Sequence, residues 1–362
     1  MSLRILAIEP YYGGSHRAFV DGLARASRHE WTLVTMPARK WKWRMRGAAL
    51  HLASQLDQPF DVLFVSDFVD LATLVGLAPR RLAKVPKAVY FHENQLTYPV
   101  LHESERDYQF GFTNLTTCLV ADRVFFNSDF HRREFLGAAR ALLRRMPDFV
   151  PDGLVESVTD RSVTLPLGCD LRSLDVEAPP REGEALIVWN HRWEYDKNPE
   201  EFFGALCDLA DDGLPFRVAV AGESFRQVPI IFDIARRRLG ERVEHFGYLS
   251  SRGDYARLLL RADINVSTAR HEFFGIAAVE AIYCGCFPLF PNKLTYPELL
   301  PTEFHGRHLY TGTADLMARL TEAVTHLDQT RSTSLRHVAE RYDWSALIGD
   351  YDAALEALAR GE

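Results

Sequence analysis

Residues 170–199, DLRSLDVEAPPREGEALIVWNHRWEYDKNP, decide how the chain is organised. The first half of this stretch is largely polar, contains a Pro-Pro pair and lacks an apolar period, which is typical of a linker. An apolar run then indicates a buried strand from Ala185, and a loop leads to a helix that begins near Pro199. We predict three segments from this division: a first domain over residues 1–170, a linker over 171–183 and a second domain over 184–343.

Short apolar runs alternate with segments of helical period on both sides of that linker. Strand candidates in the first domain are Arg4–Ile8, Trp31–Met36, Asp61–Ser66, Ala88–His92 and Val124–Asn127. Those in the second domain are Ala185–Asn190, Phe216–Ala221, Val243–Phe246, Ile264–Val266 and Phe287–Phe290. This alternation predicts two doubly wound α/β domains with parallel sheets, facing one cleft, with ligands at the carboxyl ends of the strands. Residues 344–362 are predicted to form a helix that packs back on the first domain.

The composition excludes several classes of protein. Of the 362 residues, 47% are hydrophobic and 25% charged, as in a globular chain rather than a disordered or fibrous one. No run of about 20 clean apolar residues is present, so we expect no membrane span. The five cysteines are scattered and no signal peptide precedes them, so we expect reduced thiols and a cytoplasmic location. Residues 1–170 carry 21 Lys and Arg against 19 Asp and Glu in a chain of net charge −7, so a polyanionic partner should meet the first domain.

The stretch EFFGIAAVEA at residues 272–281 places two carboxylates eight residues apart. Glu272 lies in a predicted loop, whereas Glu280 lies two turns into an apolar helix, where an unpaired acid would be costly. Sugar hydroxyls are suitable partners for such an acid. Gly275 at the helix start permits close approach of a ligand to backbone N–H groups. A pair of ordinary surface acids is the alternative, and it fits poorly with the apolar flanks.

Each domain has one further loop of interest, directly after its first strand. Gly13 and Gly14 precede a helix whose positive end suits phosphate, although a tight turn alone would also need them. Arg192 and Lys197 stand after the first strand of the second domain, where two cations could clamp a diphosphate. A solvated charged loop is the alternative for this second pair.

Residues 39–46, RKWKWRMR, hold five cations and two indoles in eight positions. Cations contact phosphates and aromatic faces stack on unpaired bases, so this segment is a candidate RNA surface. Its members are Arg39, Lys40, Trp41, Lys42, Trp43, Arg44 and Arg46. An arginine cluster at helical spacing, which includes Arg132 and Arg133, is a second candidate. A buried indole pair is the alternative for the segment at 39–46, and a solvated cationic face is the alternative for the arginine cluster.

The loop at 272–280 is similar to the E-x7-E motif of retaining glycosyltransferases of family 4, which have the two-domain GT-B fold. Four stretches resemble the tRNA-queuosine mannosyltransferase branch: EPYYGGSHRAF at 9–19, PARKWKWRMR at 37–46, FHENQLTYP at 91–99 and WNHRWEYDKNP at 189–199. The resemblance implies GDP-mannose as the donor and the cyclopentenediol of queuosine in tRNA as the acceptor. It also implies a front-face transfer with retention, in which the leaving phosphate accepts the proton of the acceptor hydroxyl.

The same resemblance implies roles for individual residues. The catalytic positions are His92, Glu272, Arg192 and Lys197. The donor-binding positions are Gly13, Gly14, Phe274, Gly275, Ile276 and Glu280. Glu280 would hold the ribose and Glu272 the transferred sugar, while the two cations neutralise the diphosphate; a core histidine is the alternative for His92. No metal or other cofactor is expected, because cations and helix ends stabilise the leaving group.

Two other functions stay open at this point. A family 4 transferase could act on a lipid or a small glycoside, and the segment at 39–46 would also suit a membrane interface. A nucleotide-sugar or RNA-binding module without turnover is the other alternative. The second domain contains four charged residues that suit catalysis, which argues against that module: Arg192, Lys197, Glu272 and Glu280.

Overall fold

The computed structural model describes residues 2–100, 106–224 and 228–362, and the chain divides into two compact units. The first unit combines the chain up to Cys169 with Trp344–Glu362, and the second is Asp170–Asp343. Within the described residues, each unit contains a six-stranded sheet in which all neighbouring strands are parallel. The predicted α/β class with doubly wound parallel sheets is therefore confirmed.

The first sheet reverses its strand order at its centre. Its strands are β1 (Arg4–Tyr12), β2 (Glu30–Pro37), β3 (Val62–Ser66), β4 (Lys87–Phe91), β5 (Arg123–Phe126) and β6 (Ser162–Thr164). The order across the sheet is β2-β1-β3-β4-β5-β6. Strands β2 and β3 lie on opposite sides of β1, so the loops that follow β1 and β3 lead away from each other. A crevice therefore forms between the carboxyl ends of these two strands.

Helices cover this sheet because their apolar faces and its strands share one core. They are α1 (Gly14–Ala26), α2 (Trp41–Leu52), α3 (Leu71–Leu77), α4 (Tyr108–Val120), α5 (Asp129–Leu143) and α6 (Leu154–Arg161). Leu63, Val89 and Phe126 of the strands and Phe135 of α5 belong to that core and are fully buried. Our strand candidates did not include β6, which has only three residues. The RNA-surface candidate at 39–46 forms the start of α2, whose dense charge obscures its apolar side.

The second sheet follows the same plan. Its strands are β7 (Ala185–Trp189), β8 (Phe216–Ala221), β9 (Val243–Gly247), β10 (Ile264–Val266), β11 (Phe287–Pro291) and β12 (Leu309–Tyr310). The order β12-β11-β10-β7-β8-β9 reverses between β7 and β10. The helices are α7 (Pro199–Asp211), α8 (Ile231–Leu239), α9 (Arg252–Arg261), α10 (Ile276–Tyr283), α11 (Tyr296–Leu299), α12 (Thr302–His308), α13 (Thr313–Thr325), α14 (Leu327–Ser332) and α15 (Arg336–Glu340). The loops after β7 and β10 therefore meet at a second crevice.

The segment that we predicted as a linker packs on the second unit. Leu171 and Leu174 are fully buried. The Arg181 guanidinium donates hydrogen bonds of 2.9 Å to the carbonyl oxygens of Leu260, Cys284 and Gly285. These contacts tie the segment to α9 and to the turn after α10.

The last helix, α16 (Trp344–Arg360), completes the first unit. Trp344 packs on Gly22 of α1 and on Gly168, where a Cβ would lie 2.5 Å from the indole. Tyr351 is fully buried, and its hydroxyl donates to the carbonyl oxygen of Pro166 at 2.9 Å. The two glycines thus provide the space that the indole fills.

The five cysteines are buried, and no disulfide links any of them within the described residues. Among the described residues, no helix combines the length and the hydropathy that a membrane crossing requires.

We predict that Trp344→Ala destabilises the first unit by about 3–5 kcal/mol, because the cavity that it leaves is bounded by backbone at two glycines. The measurement is chemical denaturation followed by circular dichroism. Trp43→Ala is the matched control, because this indole is 60% exposed and its removal should cost less than about 1 kcal/mol. Equal losses in the two variants would contradict the docking of α16.

Candidate active site

Lys197 is the centre of the crevice in the second unit. It lies in a short turn after β7, is only 6% exposed, and forms ion pairs with Asp196 at 3.1 Å and with Glu272 at 3.2 Å. Its Nζ also donates to the carbonyl oxygen of His271 at 2.8 Å. The N–H of Arg270 donates to the carbonyl oxygen of Asp196 at 2.8 Å. The loops after β7 and β10 are therefore held together by both side chains and backbone.

The buried ion pair controls the charge of Glu272. Burial alone would raise the pKa of this carboxyl, but the ammonium group of Lys197 lowers it to about 2. Burial would lower the pKa of Lys197, and the carboxylates of Glu272 and Asp196 raise it instead. Burial lowers the pKa of His191 and of His271 to about 4, with Lys197 acting in the same direction. At neutral pH the site thus contains an ionised glutamate, a charged lysine and two uncharged imidazoles.

Arg192 differs from Lys197 in its surroundings. Its side chain is 47% exposed and forms an ion pair with Glu194 at 3.2 Å. We predicted these two cations as one pair, whereas their environments differ in the structure. Lys197 is buried between two carboxylates, and the Arg192 side chain is largely at the protein surface.

Glu280 is 91% buried on α10, but its carboxylate is already bonded within the protein. Tyr255 donates its hydroxyl to Oε2 at 2.9 Å, and Arg252 forms an ion pair with Oε1 at 2.7 Å. Asn190 donates to the Tyr255 hydroxyl at 2.9 Å and to the carbonyl oxygen of Ala277 at 2.8 Å. The expectation that sugar hydroxyls are the needed partners was therefore incomplete. Because a carboxylate has about four acceptor positions, Glu280 can still accept from a ligand.

Sequence reasoning missed Arg252 and Tyr255. They stand three positions apart in the first turn of α9, which places them on one face of the helix. An arginine and a tyrosine at that spacing were the available signal, but many surface helices carry such pairs. Only the fold shows that this face meets Glu280.

The amino end of α10 begins at a glycine. Gly275 precedes this helix with a φ of 93°, a conformation that other residues rarely adopt. The free N–H groups of the first turn, which begins at Ile276, provide partial positive charge there. Phe274 is buried, and its ring meets Tyr342 edge-on at 5.3 Å. The predicted set Phe274, Gly275 and Ile276 therefore forms a helix start beside Glu272, whose Cγ lies 3.7 Å from a Cβ built on Gly275.

In the first unit, Gly13 and Gly14 form the turn between β1 and α1. A Cβ on Gly13 would lie 2.5 Å from the Cβ of Ala38, and Gly14 has a φ of 51°. The backbone geometry of the turn itself thus requires both glycines.

His92 follows β4 and lies against His16 of α1. Their ring centroids are 4.1 Å apart, and the backbone N–H of His92 donates to Oδ1 of Asp67 at 2.9 Å. Burial lowers the pKa of His92 well below its usual range. Burial would also lower the pKa of His16, but the Glu9 carboxylate, 3.0 Å from its Nδ1, raises it to about 9. A charged and an uncharged imidazole therefore stand side by side.

Glu9, His16 and His92 also have the side-chain types that ligate metals, and their candidate ligand atoms lie within 4.8 Å of one another. We predicted no such group from the sequence, because the three residues lie on β1, on α1 and after β4. That no metal is needed stays a prediction.

The residues of the candidate RNA surface at 39–46 differ in their exposure to solvent. Arg39, Lys40, Lys42 and Trp43 are exposed on or before α2. Arg44 points inward and donates to the carbonyl oxygen of Pro37 at 3.0 Å, so it does not belong to an exposed surface.

Three further members of the two RNA candidates contact other side chains or backbone of the protein: Trp41, Arg46 and Arg132. Trp41 is half-buried beside Phe110, and the Arg46 guanidinium lies over the same ring. Arg132 donates to Ser162 and Thr159, whereas Arg133 is exposed on α5.

Comparisons with known proteins identify the family of this chain. Residues 4–169 match the family model described as tRNA-queuosine alpha-mannosyltransferase N-terminal, and residues 173–339 match glycosyl transferases group 1. A Drosophila melanogaster tRNA-queuosine alpha-mannosyltransferase is 41% identical over 311 residues, covering 83% of this chain and 82% of the relative. A GDP-mannose-dependent alpha-(1-6)-phosphatidylinositol dimannoside mannosyltransferase of Mycobacterium tuberculosis is 26% identical over 258 residues, covering 68% of this chain and 61% of the relative.

Solved structures share the fold. A sucrose-phosphate synthase from Thermosynechococcus elongatus superposes with a TM-score of 0.73 at 15% identity and covers 99% of this chain and all of its own. A glycosyltransferase from Rickettsia africae gives a TM-score of 0.73 at 13% identity, with complete coverage of both chains. The two parallel-sheet units and the group 1 match define a glycosyltransferase of the GT-B fold. Within that class, the chain belongs to the tRNA-queuosine alpha-mannosyltransferase family.

We predict that Lys197→Met destabilises the second unit by about 3–5 kcal/mol, because Asp196 and Glu272 would remain buried without a counter-charge. Adding Glu272→Gln to this variant should restore part of the loss. Urea denaturation measures both effects. Arg192→Met is the control and should lose less than about 1 kcal/mol, because its ion pair is exposed. Equal losses at the two cations would show that Lys197 is not the centre of this site.

Proposed function

We propose that this protein transfers mannose from GDP-mannose to the cyclopentenediol of queuosine in tRNA, with retention at the anomeric carbon. The observation that carries the proposal is the Lys197–Glu272 pair beside the amino end of α10, in a chain of the tRNA-queuosine alpha-mannosyltransferase family. Several relatives at 26% identity are named as GDP-mannose-dependent or GDP-mannose-using enzymes, which supports the donor.

The proposed division of labour follows from the charges. Glu272 is ionised and accepts hydrogen bonds from hydroxyls of the transferred sugar, while Lys197 fixes its orientation. The Arg192 side chain leaves Glu194 to contact the diphosphate, together with N–H groups of the first turn of α10. Glu280, held by Arg252 and Tyr255, accepts hydrogen bonds from the ribose. As the bond between the anomeric carbon and the phosphate oxygen breaks, that phosphate takes the proton of the attacking hydroxyl.

The tRNA is proposed to bind the first unit. The exposed cations Arg39, Lys40 and Lys42 would contact phosphates, and the exposed Trp43 indole would stack on an unpaired base. Exposure of these four side chains supports this assignment. A cytoplasmic location fits such a substrate and stays part of the proposal.

A lipid acceptor is the second candidate. The relatives at 26% identity act, by their names, on a phosphatidylinositol dimannoside or a diphosphopolyprenol. The 41% identity with the Drosophila relative favours tRNA over a lipid.

The decisive experiment incubates the protein with GDP-mannose and tRNA that contains queuosine, and then analyses nucleosides by mass spectrometry. We expect one hexose to be added to queuosine, and no product with tRNA that carries guanosine at the same position. The same yield is expected with EDTA, because charged side chains and the helix end stabilise the leaving group. Transfer only to a polyprenol or phosphatidylinositol acceptor would favour the second candidate. Donor binding without transfer to any acceptor would favour a binding module.

We further predict that the two glutamates affect different kinetic constants. Glu280→Gln should raise the donor KM more than it lowers kcat, because ribose contacts do not change during transfer. Glu272→Gln should lower kcat more, because the sugar that it holds becomes distorted in the transition state. Steady-state kinetics against GDP-mannose measure both. The exposed Glu241→Gln is the control and should change neither constant. Identical changes in the two glutamate variants would contradict the separate roles.

A further inference from the structure

Four buried polar side chains gather at the carboxyl ends of the central strands of the first sheet. Glu9 lies near the end of β1, Asp67 follows β3, His92 follows β4, and His16 lies in the first turn of α1. Each is at least 91% buried. This place is the crevice where the strand order reverses, and ligands of open α/β sheets bind at such reversals.

Each carboxylate oxygen of Glu9 has a partner within the protein. Its Oε1 accepts from the N–H of Tyr11 at 2.8 Å, and its Oε2 lies 3.0 Å from Nδ1 of His16. With Nδ1 taken by Glu9, Nε2 is the nitrogen of His16 that can meet a ligand. The carboxylate therefore fixes both the orientation and the donor role of the imidazole.

Aromatic rings fix the same imidazole from its other sides. The ring of Phe68 meets His16 edge-on at 5.1 Å and stacks with Tyr11 at 5.1 Å and 14°. Trp41 meets Phe68 edge-on at 6.4 Å. Tyr11 and Trp41 are half-buried, so the crevice has an apolar wall next to its polar end.

The polar end of the crevice is not satisfied by the protein alone. Among the described residues, Nδ1 of His92 and Oδ2 of Asp67 are buried and have no hydrogen-bond partner. Leaving such groups unpaired is unfavourable, so native proteins seldom retain them without a reason. A small ring with two hydroxyl groups supplies the donors and acceptors that these atoms lack, and its carbons suit the aromatic wall.

We propose that His16, positioned by Glu9, binds a hydroxyl of the vicinal diol of the acceptor. His16 touches the substrate, and Glu9 is a positioning residue. Because the His16 and His92 rings are 4.1 Å apart, one small ligand can contact both imidazoles. The inference rests on the proposed function, and it assigns the acceptor side of the reaction to two residues without a previous role.

The test uses the full chain and two synthetic anticodon stem-loops. One carries queuosine, and the other carries an analogue that lacks one hydroxyl of the diol. We expect the missing hydroxyl to lower kcat/KM of the wild-type enzyme by about 10–100-fold, as for the loss of a hydrogen bond to a charged group. In His16→Asn, which retains a polar group near Glu9 but has no Nε2, the two stem-loops should react within about twofold of each other. In Glu9→Gln, the ratio of kcat/KM between the two stem-loops should fall to about tenfold or less.

Hydrolysis of GDP-mannose without any acceptor reports on the donor site and on folding. It should stay within about twofold of wild type in His16→Asn and in Glu9→Gln. His51→Asn is the control, because His51 is exposed on α2, and it should retain the full discrimination between the stem-loops.

Each other outcome overturns the inference in a distinguishable way. Discrimination in His16→Asn equal to that of wild type removes His16 from the acceptor site. Donor hydrolysis lost in both His16→Asn and Glu9→Gln assigns the pair to the donor site or to folding. Calorimetric binding of Zn²⁺ or Mn²⁺ that disappears in His16→Asn would make the cluster a metal centre. If wild type transfers mannose to neither stem-loop, the proposed function fails, and this inference fails with it.

Discussion

An ammonium group enclosed between two carboxylates sets the geometry of the second unit. Lys197 meets Asp196 from its own loop and Glu272 from a loop 75 positions further along the chain. Without the lysine, neither carboxylate could remain buried in its ionised form. Its position in turn affects the start of α10, because Gly275 and Ile276 lie only three and four residues after Glu272. The proposed donor site thus depends on one charge balance, and Arg192 is the more exposed of its two cations.

Both units place their polar groups at the same point of the same sheet plan. The strand order reverses between β1 and β3 in the first unit and between β7 and β10 in the second. Glu9 and Asp67 stand at the first reversal, and Lys197 and Glu272 at the second. The two crevices nevertheless differ in chemistry. The second is held by an ion pair of lysine and glutamate, whereas the first combines paired imidazoles with an aromatic wall.

The sequence was sufficient for ten strands of the two sheets and for the loops that carry the second site, whereas the short edge strands β6 and β12 were not predicted. Strand β7 is a continuous apolar run, and the spacing of Glu272 and Glu280 around Gly275 is a local pattern. The partners of Glu280 were not predictable, because Arg252 and Tyr255 meet it only after α9 and α10 pack.

The same limit explains two other differences. Glu9 and His16 flank the glycine turn, which drew attention to phosphate binding rather than to the pair itself. Arg44 looked like its cationic neighbours, although the helical period turns it toward Pro37. Local spacing shows which residues are unusual, whereas the contacts between distant elements decide what each one touches.

The return of the last 19 residues to the first unit has a consequence for biosynthesis. The second unit is one continuous segment, so a ribosome releases all of it before the first unit can be completed by α16. Until then, the surface of α1 around Gly22 and the backbone at Gly168 lack the indole that covers them. A nascent or prematurely terminated chain would therefore display this apolar groove to chaperones while its second unit is already folded.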